Sequence, residues 1–314
     1  MNLIFEYSFD GGGNQGFGYV FNSVYNNIDK HYPEVTKSKI SVYDVYPGCQ
    51  SPGGRCGIAS LKIINPDNKK ATVLSFWDRA MDITTGHLEW DSLNIVHLIG
   101  GLGIYESPEA ILQRTGIKFS PFLYALEFLR SYDLIEKYRI PYNYNEKIKK
   151  ACFIGWIYDS RKQITDILEQ HPLFDVFGHE HNIRGEKYYE VLSQYALALS
   201  LNGNGEWCLR DVEAMGLGIP LVRAELKTPF YKELIPGTNY IKGNEASINA
   251  SLVFPGIPFE QSAANYIKAV EDAINNEELL TSISRNNVEY YQQYLLLDKI
   301  VESFFDVFDL ELLK

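Results

Sequence analysis

The chain is poor in cysteine. Cys49, Cys56, Cys152 and Cys208 are scattered over 314 residues without a CxxC pair. That excludes a disulfide scaffold and the paired-cysteine zinc modules, and leads to the expectation of a reduced, cytoplasmic chain. Basic runs are missing as well. The densest, Lys147, Lys149 and Lys150, is short, and the formal net charge is -11, so nucleic acid is not an expected partner. The longest apolar run, 93–104, is interrupted by His97 and three glycines, and is too short for a transmembrane segment. The first residues, MNLIFEYSFD, show no basic region followed by an apolar stretch, so no signal peptide is expected.

What is abundant is aromatic. Phe, Tyr and Trp make up 14% of the chain, with 22 tyrosines and 17 phenylalanines. Tyrosine in such number lines sites for flat, polar ligands, or simply packs in core and surface. A hydrophobic share of 46% against 22% charged is an ordinary globular balance with enough apolar surface for a substantial core. The length suits two domains of about 150 residues. Short apolar runs alternate with helical patterns, which reads as α/β with parallel sheets. Strands are expected at 2–9, 39–45, 58–65, 71–77 and 93–98, with helices at 19–32, 108–114 and 121–136. Residues 139–150, rich in tyrosine, asparagine and lysine, read as a linker. Beyond it, strands are expected at 151–154, 174–177, 195–200 and 219–223. Helices are expected at 160–170 with Ser160 as N-cap, and at 186–194, 209–217, 262–275 and 277–308.

The stretch SLNGNGEWCLRDVEAMGLGIPLVR (200–223) concentrates chemistry between two of these strands. In open α/β sheets ligands sit beyond the carboxyl ends of the strands, where Asn202, Gly203, Asn204 and Gly205 fall. Glycines let a ligand approach the backbone, and the N–H groups at a helix start attract an anion. Arg210, one turn into the helix, suits a diphosphate held in a bidentate fork. Glu213, a further turn on and on the same face, suits ribose hydroxyls. The same pair also reads as a surface ion pair on an amphipathic helix, and the spacing does not choose.

GNGEWCLRDVEAMGLGIPLVR resembles the donor-binding segment of GT-B glycosyltransferases, and is most similar to the CAP10-like, protein O-glucosyltransferase group, glycosyltransferase family 90. Upstream, ACFIGWIYDSRKQITDIL is similar to that family's strand, glycine loop and arginine-headed helix, with Gly155 and Arg161 in matching places and Ile154 where the family has arginine. Supporting likeness extends over about residues 150–296, including PFYKELIPGTNYI and SISRNNVEYYQQYL, while FDVFGHEHNIRGEKYYEVLSQYALALSLNG also resembles fucosyltransferase and exostosin C-terminal domains. The resemblance implies a GT-B fold of two Rossmann-like domains facing a central cleft. Residues 1–145 would bind the acceptor, 146–285 the nucleotide sugar, and 286–314 would form a closing helix. It implies a UDP-sugar as donor substrate with no separate cofactor, and a glycan or other hydroxyl acceptor. Gly155, Arg161, Asn202, Gly203, Asn204, Gly205, Arg210 and Glu213 would hold the donor.

Other constellations compete. The glycine cluster Gly11–Gly16, with Gly12, Gly13 and Asn14 at its centre, fits GxGxxG after a strand, the dinucleotide fingerprint of an NAD-dependent oxidoreductase or epimerase. The acidic residue ending the next strand, Asp44, comes later than that fingerprint asks. In a GT-B N-terminal domain the same loop admits the acceptor and leaving phosphate. His179-Glu180-His181 suggests a metal, but no third ligand lies at a recognisable spacing, and a polar loop is the better reading. No Asp-x-Asp occurs, the metal-holding pair of GT-A transferases, so metal-independent transfer is expected with no metal site, and the resemblance implies that transfer inverts configuration. The family places its base just past an N-domain strand, which matches Asp78, with Asp82 in reserve; Asp78 also reads as a partner of Arg79 or a turn cap. Trp77, Trp90 and Trp207 are candidates for stacking on sugar or base, or for core packing. A non-catalytic carbohydrate-binding protein of the same fold is a further alternative.

Overall fold

The computed structural model describes residues 1–10, 18–38, 41–45, 60–75, 93–100, 107–122, 129–157, 159–202, 207–227, 231–245 and 257–314. The protein divides into two α/β units. One comprises Met1–Leu129, Thr228–Lys232 and Tyr294–Lys314; the other comprises Arg130–Lys227 and Glu233–Gln293. The division falls at 129/130, ahead of the expected 145/146. The tyrosines of the expected linker explain why: Tyr142 Oη donates to the Ala196 carbonyl at 3.0 Å and Tyr144 Oη to the Ile274 carbonyl at 2.9 Å, so this stretch is fastened to the second unit. The C-terminal stretch is likewise divided rather than forming one closing helix.

The first unit is built on a seven-stranded sheet. Its strands are β1 (Asn2–Asp10), β2 (Thr36–Lys37), β3 (Ser41–Val45), β4 (Ser60–Ile64), β5 (Lys70–Ser75), β6 (Asn94–Gly100) and β7 (Lys118–Pro121). Their order is β2-β1-β4-β5-β6-β7, with β3 also paired to β1. All pairings are parallel except those of β4, which runs against both β1 and β5. The turn between β4 and β5 dictates that exception. Asn65 Oδ1 accepts the Asp67 N–H, Asn68 Oδ1 accepts the Lys70 N–H, and Lys69 takes a positive φ of 60°. So tight a turn can join only antiparallel strands. β7 ends at Pro121, the residue at which a helix is expected to begin; the helix that is observed, Leu129–Tyr138, starts later. Proline is tolerated at the end of a short edge strand, where its missing N–H costs no ladder bond.

Helix α1 (Gly18–His31) buries Val20, Phe21, Val24 and Ile28, an i, i+4, i+8 stripe turned to the sheet. α2 (Pro108–Thr115) is capped by Ser107, whose Oγ accepts the Ala110 N–H at 3.2 Å, and stops at Gly116 in the left-handed region, φ 73°. The C-terminal α9 (Leu297–Val307) returns to this unit. His31 stacks on Phe305 with centroids 3.9 Å apart, Tyr32 Oη donates to the Phe308 carbonyl, and Asn65 Nδ2 donates to the Leu313 carbonyl at 2.8 Å.

The second unit is the more regular. Its strands are β8 (Ile148–Ile154), β9 (Phe174–Phe177), β10 (Tyr195–Ser200), β11 (Leu221–Ala224) and β12 (Tyr240–Asn244). All run parallel, in the order β9-β8-β10-β11-β12. β10 is buried along its whole length, YALALS, as a central parallel strand covered on both faces must be. The helices are α3 (Leu129–Tyr138), α4 (Asp159–Leu168), α5 (Glu186–Leu192), α6 (Leu209–Leu217), α7 (Phe259–Ile274) and α8 (Glu277–Tyr290). α4 opens at Asp159, so Ser160 lies inside the helix and not at its cap. The helix expected over 277–308 breaks into α8, a π turn at Tyr291–Leu295 and α9. The core gathers Phe153, Leu197, Leu199 and Val222 from the sheet against Ile164, Leu168, Tyr266 and Val270. In chain order this sheet reads 2-1-3-4-5. β8 connects outward to β9 on one side, and the chain then crosses to β10 on the other. The strand order therefore reverses between β8 and β10, and the crevice beyond their carboxyl ends is where such sheets take ligands.

Candidate functional site

Ile154, Gly155 and Trp156 leave β8 at that crevice; Ser200, Leu201 and Asn202 leave β10 beside them. α6 starts from the same rim and is anchored from beneath. Asp211 Oδ2 accepts the Cys208 backbone N–H at 2.8 Å and the Cys208 thiol at 3.2 Å, closing the N-terminus. The same carboxylate meets Arg223 Nη1 of β11 at 2.8 Å, both side chains essentially without exposure. Arg223 also donates from Nε to the Ala224 carbonyl at 3.1 Å. A fully buried ion pair of this kind fixes position more than it adds stability, because desolvation offsets most of the attraction. Burial raises the Cys208 thiol above its ordinary range, so it acts as a cap and not as a nucleophile.

Arg210 reaches from α6 across β10 to β8. Its Nε and Nη2 both donate to the Ile154 carbonyl, at 3.0 and 2.7 Å, and its guanidinium lies 4.4 Å from the centre of the Phe153 ring. The path exists because residue 155 is glycine: a Cβ there would stand 2.1 Å from Arg210 Nη2. The third nitrogen, Nη1, is buried and has no partner among the described residues. Burial opposes the Arg210 charge, and Cys208, Tyr188, Asp211 and Glu213 around it outweigh that opposition and raise its pKa. A guanidinium stays charged in proteins in any case. The reading of Arg210 and Glu213 as a surface ion pair does not hold. Arg210 is buried, and Glu213 turns toward α5, where Tyr189 Oη donates to its Oε1 at 2.7 Å. Burial raises the Glu213 carboxyl above its ordinary range, against the opposing pull of the bond from Tyr189 and of the Arg210 charge.

Arg161, from α4, braces the rim. Nε donates to the Asn202 carbonyl at 2.8 Å, Nη2 to the Leu201 carbonyl at 2.9 Å and Nη1 to the Trp156 carbonyl at 3.1 Å. One guanidinium thus ties the segment leaving β8 to the segment leaving β10. Its observed bonds go to backbone oxygens, a support for the crevice rather than a charge presented to it. Asn202 is buried, and its side-chain oxygen has no partner among the described residues.

Gly203, Asn204 and Gly205 lie outside the described residues, as do Gly12, Gly13, Asn14, Asp78, Asp82, Trp77 and Trp90. Trp207 is a packing residue, 3% exposed with the Arg223 guanidinium 5.5 Å from its ring. His179 and His181 flank Glu180, at 3.4 and 3.2 Å from its oxygens. Among the described residues no group of three or more His, Cys, Asp or Glu is placed to hold a metal ion, and no helix is long and apolar enough to cross a membrane. Sequence reading missed Trp156, which stands exposed beside His179, although an aromatic directly after a strand-ending glycine is a visible signal. It also missed the Asp211–Arg223 pair, of which only the acidic residue at the third helical position was legible.

No protein-family model matches the sequence, and no curated protein matches it significantly. Solved structures similar in arrangement include these three. One is a TarM variant of S. aureus in complex with fondaparinux, α-GlcNAc-glycerol and UDP, with 12% identity and TM-score 0.41 over 68% of this chain and 43% of that one. Another is a GtfA/B complex, with 13% identity and TM-score 0.40 over 75% and 56%. The third is the pneumococcal O-GlcNAc transferase GtfA in complex with UDP and GlcNAc, with 14% identity and TM-score 0.41 over 71% and 46%. The chain spans about half the length of these proteins. At such TM-scores the chemistry has to come from this chain's own residues.

Proposed function

We propose that the protein is a glycosyltransferase of the GT-B type that binds a nucleotide diphosphate sugar, a UDP-sugar, in its second unit and passes the sugar to an acceptor hydroxyl. The observation that carries this is Arg210. A buried guanidinium stands at the point where the strand order reverses, wedged over a glycine, with a third nitrogen that has no partner among the described residues. A diphosphate oxygen would satisfy that nitrogen, and the N–H groups at the start of α6 would add to it. Glu213, held by Tyr189, would accept the ribose hydroxyls. Gly155, Asn202, Gly203, Asn204 and Gly205 would form the backbone rim, with Arg161 keeping its two sides together. The narrower likeness to glycosyltransferase family 90 rests on the sequence segments alone.

In the proposed reaction the acceptor oxygen attacks the anomeric carbon from the face opposite the diphosphate. The new C–O bond forms as the old one breaks, the diphosphate leaves with the bonding electrons, and the acceptor proton passes to a carboxylate. We assign that carboxylate to Asp78, with Asp82 in reserve, and the acceptor loop to Gly12, Gly13 and Asn14. Transfer would invert configuration. The leaving charge would be met by Arg210 and the helix start in place of a metal held by Asp-x-Asp. The test is a panel of nucleotide sugars scored by nucleotide diphosphate release, with calorimetry of UDP, GDP and NAD. UDP binding with release from one UDP-sugar is the expected result; NAD binding without UDP binding would overturn it.

A further inference from the structure

We propose that Trp156 and His179 form a stacking platform for the base of the bound nucleotide, with the Arg184 guanidinium over the Trp156 ring. The inference rests on the nucleotide diphosphate reading of the crevice and names what would fix the other end of that ligand.

Three observations lead there. The first is register. Ile154 of β8 pairs with Phe177 of β9, so the residues two further on, Trp156 and His179, emerge side by side at the same sheet edge. Their rings are parallel, 9° apart in plane, with centroids 5.1 Å apart. His179 is steadied by Glu180, whose Oε2 lies 3.4 Å from its Nδ1. The second is exposure. Trp156 is 62% exposed, the most exposed large hydrophobic side chain among the described residues. With His179 against one face and the Arg184 guanidinium over the ring at 5.8 Å, the indole still presents most of its surface to water. A flat aromatic surface left uncovered in a fixed pose is available to a ring that stacks on it. The third is anchorage. The Trp156 carbonyl accepts from Arg161 Nη1 at 3.1 Å, and the same guanidinium holds Leu201 and Asn202. The platform is therefore tied to the rim where the diphosphate would sit. Trp156 directly follows Gly155, the residue that makes room for Arg210, so along the chain the platform adjoins the proposed diphosphate site.

A flat, electron-poor ring fits this surface best. Bases stack on indole with favourable energy whatever their identity. Arg184, 5.8 Å from the Trp156 ring centre, brings a fan of donors and no acceptor, suited to the carbonyl edge of a pyrimidine. His179 at the sheet edge thus becomes part of a ring stack, and the metal reading of the two histidines falls away.

The experiment compares UDP with inorganic pyrophosphate by calorimetry on the intact protein and on Trp156→Ala and Trp156→Phe. UDP should bind the native protein more tightly than pyrophosphate does. Trp156→Ala should lose about 10- to 100-fold in UDP affinity while pyrophosphate affinity stays within twofold, and Trp156→Phe should keep most of the UDP affinity. UDP should quench tryptophan emission in the native protein and much less in Trp156→Phe. Equal losses for UDP and pyrophosphate would make Trp156 a prop for the rim and overturn the platform. Unchanged UDP affinity in Trp156→Ala would overturn it too, with the diphosphate reading intact. If the native protein bound pyrophosphate as tightly as UDP, the base would contribute nothing, and the platform would fall in the same way. If it bound neither, both readings would fall.

Discussion

Gly155 and Arg210 compete for one volume: the Cβ that residue 155 lacks would lie 2.1 Å from Nη2 of the arginine. The glycine therefore has a steric reason that does not depend on backbone conformation. Alanine at 155 should push the guanidinium off the Ile154 carbonyl while leaving the sheet paired. We expect Gly155→Ala to lose at least tenfold in UDP affinity with little change in secondary structure. Full UDP affinity in that variant would show that Arg210 does not need its present position.

Arg210 itself should matter through geometry as well as charge. Arg210→Ala removes a charge-assisted contact to phosphate, a loss of about 1.5–3 kcal/mol in donor binding. Arg210→Lys keeps the charge but cannot hold Ile154 with two nitrogens while offering a third, so it should recover only part of the loss. Calorimetry that finds lysine equal to arginine would reduce the site to a point charge.

Beneath the site, Asp211 and Arg223 are paired at 2.8 Å with neither side chain exposed to any extent. Asp211→Ala leaves a buried guanidinium unpaired and uncaps α6, so it should cost about 3–5 kcal/mol in denaturant unfolding. Adding Arg223→Met removes the stranded charge and should restore a substantial part. A double variant no more stable than Asp211→Ala would mean that the cap, and not the ion pair, carries the loss.

The second unit was largely legible because its strands are short apolar runs set off by glycine and proline, and because central parallel strands need no alternation. β10 and α6 fall where the pattern puts them, and spacing set Arg210 one turn into the helix while leaving its role open. What spacing could not give was direction. Arg210 and Glu213 sit one turn apart, yet one turns to β8 and the other to α5, since each follows the partner that burial offers it. The first unit was harder. β4 and β5 flank Pro-Asp-Asn-Lys-Lys, which reads as a turn, but no local pattern records that β4 also pairs antiparallel with β1. β7 was hidden because Pro121, a helix-start signal in isolation, ends an edge strand. Tyr142 and Tyr144 looked like linker residues because their anchoring bonds go to backbone carbonyls far along the chain, which no local pattern records.

The catalytic proposal is tested at Asp78. An inverting transfer needs a carboxylate within reach of the acceptor hydroxyl on the side away from the diphosphate, which excludes Glu213 if it reads the ribose. Asp78→Asn keeps shape and loses the proton acceptor, so kcat should fall about 10²–10⁴-fold with UDP affinity unchanged. Asp82→Asn should be milder, and chelation by EDTA should leave transfer intact. Normal turnover in Asp78→Asn with collapse in Asp82→Asn would move the base; loss of activity on chelation, restored by manganese, would end the metal-free mechanism.

His97 gives a prediction about stability that needs no ligand. It lies wholly buried in β6 with Nε2 2.9 Å from Ser120 Oγ of β7. Burial is the main cause that lowers its pKa from 6.5 to about 4; Lys118 adds to the effect and Asp309, paired with Lys118 at 2.9 Å, opposes it. A proton therefore binds more readily to the unfolded chain than to the folded one. Above pH 6.5 the imidazole is neutral in both states and its contribution to stability is whole. As pH falls from there toward 4, the unfolded chain takes up the proton first and stability drops, by about 3 kcal/mol at most for a shift of this size. Below about 4 both states are protonated and this contribution changes no further. Urea unfolding of the native protein across pH 4–7, beside His97→Gln, isolates the effect, because glutamine can keep a bond to Ser120 and cannot titrate. The native slope should exceed that of the variant throughout the window. Parallel slopes would mean that His97 is protonated as easily inside the sheet as outside it, and that the hydrogen bond to Ser120 is made by an imidazolium.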